Sequence, residues 1–315
     1  FFSVLCNMPL LQVLTVSSFT PQQAQEVLDI AKDLKANPKK YASCMDRKTL
    51  LMLFEKPSLR TRVSFETGMT QMGGHAIYYN ISDSPLGKKE SISDTAKVVS
   101  RMVDAMIARV NCRKVVTEMA EHATIPVINA LDDWAHPTQM FADMQCIIEK
   151  KGYLKGIEMA YFGDLENNVT YDLMRAAALM GFNLNVSGPN DVDPAVLMEV
   201  AELSKASGAK VQVMSDAKEA AKGRDVIYTD SWMSYGIAQD KLEERKKLFM
   251  PYQVTTELMA CAKPDCIFMN CLPAARGMEQ TADVIDGPQS VVFDQAENRL
   301  HAHKAMLVWL LDAQP

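Results

Sequence analysis

The 315 residues predict an α/β protein of two doubly wound domains, each with a mainly parallel sheet, joined by long helices. Two observations carry that prediction. Short apolar runs alternate with longer segments of helical period along the whole chain, as strands joined by crossover helices do, and this implies parallel sheets covered on both faces. Polar clusters then fall where the apolar runs stop, at 58–62, Arg109, 132–136, 163–168, 230–236 and 270–273. Ligands of open parallel sheets gather outside the C-terminal strand ends, so these clusters predict one cleft. The length suits two domains, each with its own core.

Taken in order, Thr20 is an N-cap and Pro21 a first helical residue for a helix over 21–36. Residues 50–54 are a buried strand, and Pro57 cannot extend the ladder. Ser58 sits where an N-cap belongs, before a helix over 61–72 with apolar Val63, Phe65 and Met69. A strand that turns through a serine into a helix aims unpaired N–H groups at one point. Two arginines and two hydroxyls within five residues, Ser58, Arg60, Thr61 and Arg62, complete an anion pocket there. A strand over 75–80, a loop over 81–90 bearing Lys88 and Lys89, and a Ser91-capped helix over 92–103 follow. Next come a strand over 105–110, a helix over 115–122 and a strand over 126–129. A helix over 137–151 holds the domain boundary. The second series has strands over 158–162, 183–187, 210–214, 226–229 and 267–270 with helices between, and a final helix over 298–311.

Composition bounds the chemistry. Hydrophobic residues at 48% and charged residues at 23% suit a soluble globular protein, and a net charge of −6 argues against a nucleic-acid surface. Seven scattered cysteines without a C-x-x-C fit reduced cytoplasmic thiols better than a disulfide framework. Cys261 and Cys266 lack zinc spacing, and His301 and His303 point to different helix faces, so no metal is expected. No run approaches a membrane span, and the apolar opening lacks the basic region of a secretory signal. Neither G-x-G-x-x-G nor G-x-x-x-x-G-K-[ST] occurs, which argues against a nucleotide-dependent oxidoreductase and leaves no cofactor implied.

Several side chains stand out within the clusters. Arg109 ends an apolar strand, so its charge is paired or serves a ligand. His136 is a helix cap or, with Gln139 on the same face one turn later, part of a polar pair. Asn167 and Asn168 are turn residues or contacts. Asp230 follows a strand, where it can receive a substrate cation. Cys271 has no local base to make it a nucleophile, which leaves it a contact residue beside the rigid turn at Leu272 and Pro273.

Together these stretches resemble the aspartate/ornithine carbamoyltransferase family over nearly the whole chain. Residues 58–62 are similar to its S-T-R-T-R carbamoyl-phosphate loop, and Ala108-Arg109-Val110, His136-Pro137-Thr138-Gln139 and Glu297-Asn298-Arg299 to its later signatures. Residues 164–169 resemble the second-domain loop of its ornithine branch, 230–236 its D-x-W-x-S-M-G loop and 270–273 its H-C-L-P turn. The sequence departs with Leu59 for Thr, Tyr235 for Met, Asn270 for His, and Pro85 where relatives carry Gln or His in a loop that reaches a neighbouring subunit's site. Asn270 is expected to support the site through its backbone. The resemblance implies a carbamoyl-phosphate domain (1–145, with 298–315 packing back on it) and an ornithine domain (146–297). It implies transfer of a carbamoyl group to the side-chain amine of L-ornithine without metal or cofactor, in a cytoplasmic, trimer-based homo-oligomer with sites near subunit interfaces. Ser58, Leu59, Arg60, Thr61, Arg109, His136, Gln139, Leu272 and Arg299 would hold carbamoyl phosphate. Asn168, Asp230, Ser234, Tyr235 and Cys271 would hold ornithine. Arg60, Arg109, His136, Cys271 and Arg299 would form the catalytic set. Tyr235 makes putrescine the rival acceptor, and Asn270 leaves open a non-catalytic binding protein of the same fold.

Overall fold

The computed structural model describes residues 12–81, 89–233 and 237–315; the loop around Pro85 and residues Ser234 and Tyr235 lie outside them. Among the described residues the chain forms two fully parallel sheets. The first contains β1 (Thr49–Phe54), β2 (His75–Asn80), β3 (Ala105–Arg109) and β4 (Val127–Leu131) in the order β2-β1-β3-β4. Its helices are α1 (Pro21–Ala36), α2 (Leu59–Gln71), α3 (Ile92–Val99), α4 (Arg113–His122) and α5 (Pro137–Lys151). The second contains β5 (Glu158–Phe162), β6 (Asn183–Ser187), β7 (Val211–Val213), β8 (Val226–Thr229) and β9 (Ile267–Asn270) in the order β7-β6-β5-β8-β9. Around it run α6 (Asn168–Met180), α7 (Pro194–Ser207), α8 (Ala217–Ala221), α9 (Leu242–Phe249), α10 (Thr256–Met259) and α11 (Ala282–Ile285), before the closing helix α12 (Val292–Leu310).

Strand order fixes where ligands bind. In the first sheet the chain winds outward from β1 to β2, then returns to place β3 on the other side of β1. In the second it winds from β5 to β7 and returns to place β8 beside β5. Each reversal opens a crevice at the C-terminal strand ends, between β1 and β3 and between β5 and β8. β1, β3 and β4 are buried along essentially their whole length, as strands covered on both faces are. The edge strand β2 differs. It alternates exposed and half-buried residues, and Ile77 and Tyr79 face solvent, so the expected two-sided cover fails there.

The expectation of one core per domain also needs correction. The largest apolar cluster is continuous from Leu50, Met52 and Ile107 of the first sheet to Met159, Tyr161 and Tyr228 of the second. Long helices cause this, because α5 is buried from Pro137 to Ile147 and α6 from Val169 to Leu179. Separate clusters cover only the outer faces. α12 packs against α1, α2 and α5, bringing the end of the chain onto the first sheet's helices.

Boundaries shift for local reasons. α2 begins at Leu59, because Ser58 caps it directly. α3 stops at Val99, where the Ser100 hydroxyl donates back to the Ala96 carbonyl (2.6 Å). α12 begins six residues before the expected 298, since its buried face is polar and gives little apolar period.

One glycine is required by close approach. A Cβ at Gly188, just after β6, would lie 2.0 Å from the Gly163 carbonyl oxygen and 2.8 Å from Leu165 Cγ. Gly163 opens the loop that carries Asn167 and Asn168, so Gly188 lets that backbone pass. Gly188→Ala should destabilise by about 3 kcal/mol and lower Tm by roughly 6–10 °C. An unchanged thermal melt would show that the two turns move apart freely.

Candidate active site

A cleft of about 840 Å³ lies at both sets of strand ends. On the first sheet's side, Ser58 is extended (φ −156°, ψ 115°) and its Oγ accepts from the Thr61 N–H (3.4 Å). The first turn of α2 is braced from α12. Arg299 Nη2 donates to Thr61 Oγ1 (2.7 Å), and His303 Nδ1 bonds Ser64 Oγ (2.8 Å), which itself donates to the Arg60 carbonyl (2.6 Å). Arg109 pairs in register with Phe54, so it sits beside the end of β1 and the start of α2. Arg60, Arg109 and Arg299 thus converge from three elements on one helix N-terminus. Burial first, then the charges of Arg109 and Arg60, push the Arg299 guanidinium down to about 9. Among the described residues, the Nε atoms of Arg60 and Arg299 have no hydrogen-bond partner. Such a cluster is stabilised by a bound anion.

His136 occupies the N-cap position of α5, but its side chain makes no capping bond; the ring lines the cleft instead. Its backbone N–H donates to Asp172 Oδ2 (3.1 Å), and Thr138 Oγ1 lies 3.3 Å from Nδ1. Burial, followed by Arg299 and Arg109, holds the ring well below its usual range, so it is neutral. Asp172, pushed up to about 7 chiefly by burial, also accepts from Val16 N–H and pairs with Arg175. Gln139 lines the cleft one turn after His136, its Nε2 donating to Asp143 (2.8 Å) and its Oε1 without a partner among the described residues.

On the second sheet's side, Asp230 follows β8 and is buried. Its Oδ1 accepts from Cys271 Sγ (3.0 Å) and its Oδ2 from Asn167 Nδ2 (3.0 Å). Burial raises the Asp230 carboxyl, while burial and Asp230 together push the Cys271 thiol well above its ordinary value. Cys271 is therefore a neutral thiol, as its lack of a base predicts. Asn168, first residue of α6, donates across the cleft to the Asp132 carbonyl. Leu272 sits in the left-handed region (φ 56°) before Pro273, and both line the cleft. Asn270 does more than the backbone support expected of it. Fully buried, its Oδ1 accepts from Leu272 N–H (2.8 Å) and its Nδ2 donates to Gln280 (3.1 Å), so its side chain holds the turn at Leu272.

Residues 12–149 match the family model for the aspartate/ornithine carbamoyltransferase carbamoyl-P binding domain, and residues 155–310 that for the family's Asp/Orn binding domain. The chain belongs to the aspartate/ornithine carbamoyltransferase family. It is 47% identical over 303 residues to the ornithine carbamoyltransferase of Thermococcus kodakarensis, covering 95% of this chain and 96% of that protein. The solved ornithine carbamoyltransferase from Pyrococcus furiosus superposes with a TM-score of 0.92 at 45% identity, covering 96% of this chain and 98% of that one. The ornithine transcarbamoylase from Giardia lamblia superposes at 0.89 with 45% identity, covering 96% and 99%.

In this carbamoyltransferase-family chain, Ser58, Leu59, Arg60, Arg109, His136, Gln139, Asn168, Asp230, Cys271, Leu272 and Arg299 all line the one cleft. Thr61 does not; it is fully buried and reaches the site through Arg299 and Ser58. Ser234 and Tyr235 fall outside the described residues. Sequence reading missed Arg245 of α9, which lines the cleft and donates to Asp164 (2.5 Å) and to the Trp232 carbonyl (2.6 Å). It stands in a run of exposed charges, where nothing local marks it.

Proposed function

We propose that this chain transfers the carbamoyl group of carbamoyl phosphate to the side-chain amine of L-ornithine, giving L-citrulline and phosphate. The observation that carries the reading is the convergence of Arg60, Arg109 and Arg299 on the N-terminus of α2, opposite the Asp230 carboxylate. One wall suits a phosphorylated donor and the other a cationic acceptor. The phosphate lies on the N–H groups that follow Ser58, with Leu59 contributing backbone, Thr61 holding Arg299 and Ser58 in place through its hydroxyl, and Arg60 the paired charge. Arg109, neutral His136 and the Leu272 carbonyl hold the carbamoyl group. As the neutral amine attacks, the carbonyl oxygen gains charge, and donors already aimed at it stabilise the transition state over the ground state. The C–N bond forms as the C–O bond to phosphate breaks, and the departing phosphate can accept the amine proton. Asp230 receives the α-ammonium, Asn168 with Ser234 and Tyr235 the α-carboxylate, and Cys271 lines the ornithine side.

On this reading residues 1–145, with 298–315, form the carbamoyl-phosphate domain, and 146–297 the ornithine domain. The assembly is a trimer-based homo-oligomer with sites near subunit interfaces. The exposed Leu59 and Val63 of α2 support it as an apolar surface next to the anion loop. Six described cysteines are free thiols, which suits a reducing cytoplasm.

Putrescine lacks the carboxylate that Asn168, with Ser234 and Tyr235, would receive, so it forfeits those hydrogen bonds. Citrulline formation should therefore be seen, with kcat/KM for L-ornithine above that for putrescine by about 10²-fold. Putrescine used equally well would overturn the acceptor assignment, and no product from either amine would overturn carbamoyl transfer itself.

A further inference from the structure

We propose that Asp143, which does not line the cleft, is the positioning residue that makes the site select a carbamoyl group over other acyl groups, by fixing the Gln139 amide with its oxygen free to accept.

The argument starts with spacing. Gln139 and Asp143 are four apart on α5 and share a face. Gln139 Nε2 donates to Asp143 Oδ1 at 2.8 Å. The end of an amide that meets a carboxylate must be its NH2, so Asp143 decides which way Gln139 is turned. Oε1 is then left as a pure acceptor, and it is buried without a partner among the described residues. A buried acceptor of that kind rewards a ligand that brings N–H donors and penalises one that does not. The NH2 of a carbamoyl group brings two. An acetyl group of the same shape presents a methyl there.

Asp143 is itself held as an acceptor. Gln295 Nε2 of α12 donates to Oδ1 (2.7 Å) and the Tyr228 hydroxyl of β8 donates to Oδ2 (2.9 Å). Among the described residues three donors and no acceptor surround the group, which is the environment of an ionised carboxylate. Burial pushes it up to about 6, against the pull of those donors, so it is charged at neutral pH. Gln295 carries the same network further, since its Oε1 accepts from the Asn270 N–H (2.9 Å) at the end of β9. One buried carboxylate therefore ties Gln139 to the strand end that leads into the Leu272 turn.

This rests on the carbamoyl-transfer reading for the chemistry of the ligand, yet binding tests it apart from turnover. Dissociation constants for carbamoyl phosphate, acetyl phosphate and inorganic phosphate are measured by titration calorimetry on the wild-type protein, Asp143→Asn and Tyr228→Phe. The wild type should prefer carbamoyl over acetyl phosphate by about tenfold or more. Asp143→Asn frees Gln139 to turn and should erase most of that preference, while inorganic phosphate binds as before on the arginines. Tyr228→Phe, which keeps the buried ring and removes one donor, should shift the ratio the same way by a smaller factor. It decides the matter if Asp143→Asn does not fold. A wild type without preference, a ratio unmoved in the variants, or a parallel loss of inorganic phosphate affinity would overturn the proposal. A wild type that discriminates but forms no citrulline would overturn the enzymatic reading and leave this one standing.

Discussion

Arg60→Ala should lower kcat/KM for carbamoyl phosphate by about 10²–10³-fold while leaving the fold at least as stable. The loss follows from removing a charge-assisted partner of the transferring group's phosphate. The stability follows from the unliganded electrostatics. Arg60 and Arg109 both push Arg299 down, so three cations share one partly water-excluded wall and repel one another. Arg60 is only half-buried, and its backbone carbonyl keeps the Ser64 hydrogen bond whatever its side chain. Taking one charge away relieves the repulsion without opening a cavity in the core, so the variant should melt at or above the wild-type temperature. Loss of function with unchanged or raised stability is the signature of a site strained for its ligand. Near-wild-type turnover at limiting carbamoyl phosphate would remove Arg60 from the site. A collapsed melt would mean that the arginine is structural.

That anion wall was legible in the sequence because its signals are local. An apolar run, a proline, a serine and two arginines stand within a dozen residues, and each acts on its immediate neighbours. Arg109 was legible for a related reason, since a charge at the end of an apolar strand needs an explanation wherever it lies. The network behind the wall was not legible. Gln139 and Asp143 are joined to Tyr228 and Gln295 across 85 and 152 residues. Nothing in the local pattern of α12 says that Gln295, Asn298, Arg299, His303 and Lys304 face inward. Their burial is also why the sequence pattern points to 298 and not to Val292 as the start of that helix: a polar buried face cancels the apolar period by which helices are found. Arg245 was hidden by the opposite effect, one cleft-lining arginine among exposed lysines and glutamates. Asn270 stands where the family usually carries an imidazole, yet its amide satisfies a turn that the substitution alone did not suggest.

α12 links the two walls of the cleft. Arg299 on it reaches the anion loop through Thr61, His303 reaches the same loop through Ser64, and Gln295 reaches the end of β9. A ligand that moves the α2 turn therefore acts on the same rigid helix that holds the strand end carrying Cys271 and Leu272. Positioning of donor and acceptor is shared through one element, and proximity of this kind is a large part of what a two-substrate transfer needs.

Asp230→Asn should reduce kcat/KM for L-ornithine by about 10²-fold or more, with the affinity for inorganic phosphate unchanged. The carboxylate is buried after β8 and accepts from the Cys271 thiol and the Asn167 amide. Neither neighbour is a cation, and burial raises the acid's pKa. A cationic substrate group arriving there gains a charge-assisted bond and lowers that pKa at the same time. The amide variant fits the existing contacts. Its oxygen can face Asn167, and its NH2 can face the Cys271 sulfur, which becomes the weak acceptor. The fold should therefore survive, and the loss should appear in ornithine binding rather than in the melt. Phosphate affinity is the control because the arginines that hold it lie on the opposite wall. If the Asp230→Asn variant used ornithine equally well, the substrate ammonium would have to be received elsewhere in the cleft, and Asp164 and Glu166 line the same wall. The corresponding amide variants of those two acids, assayed in parallel, would then identify the partner.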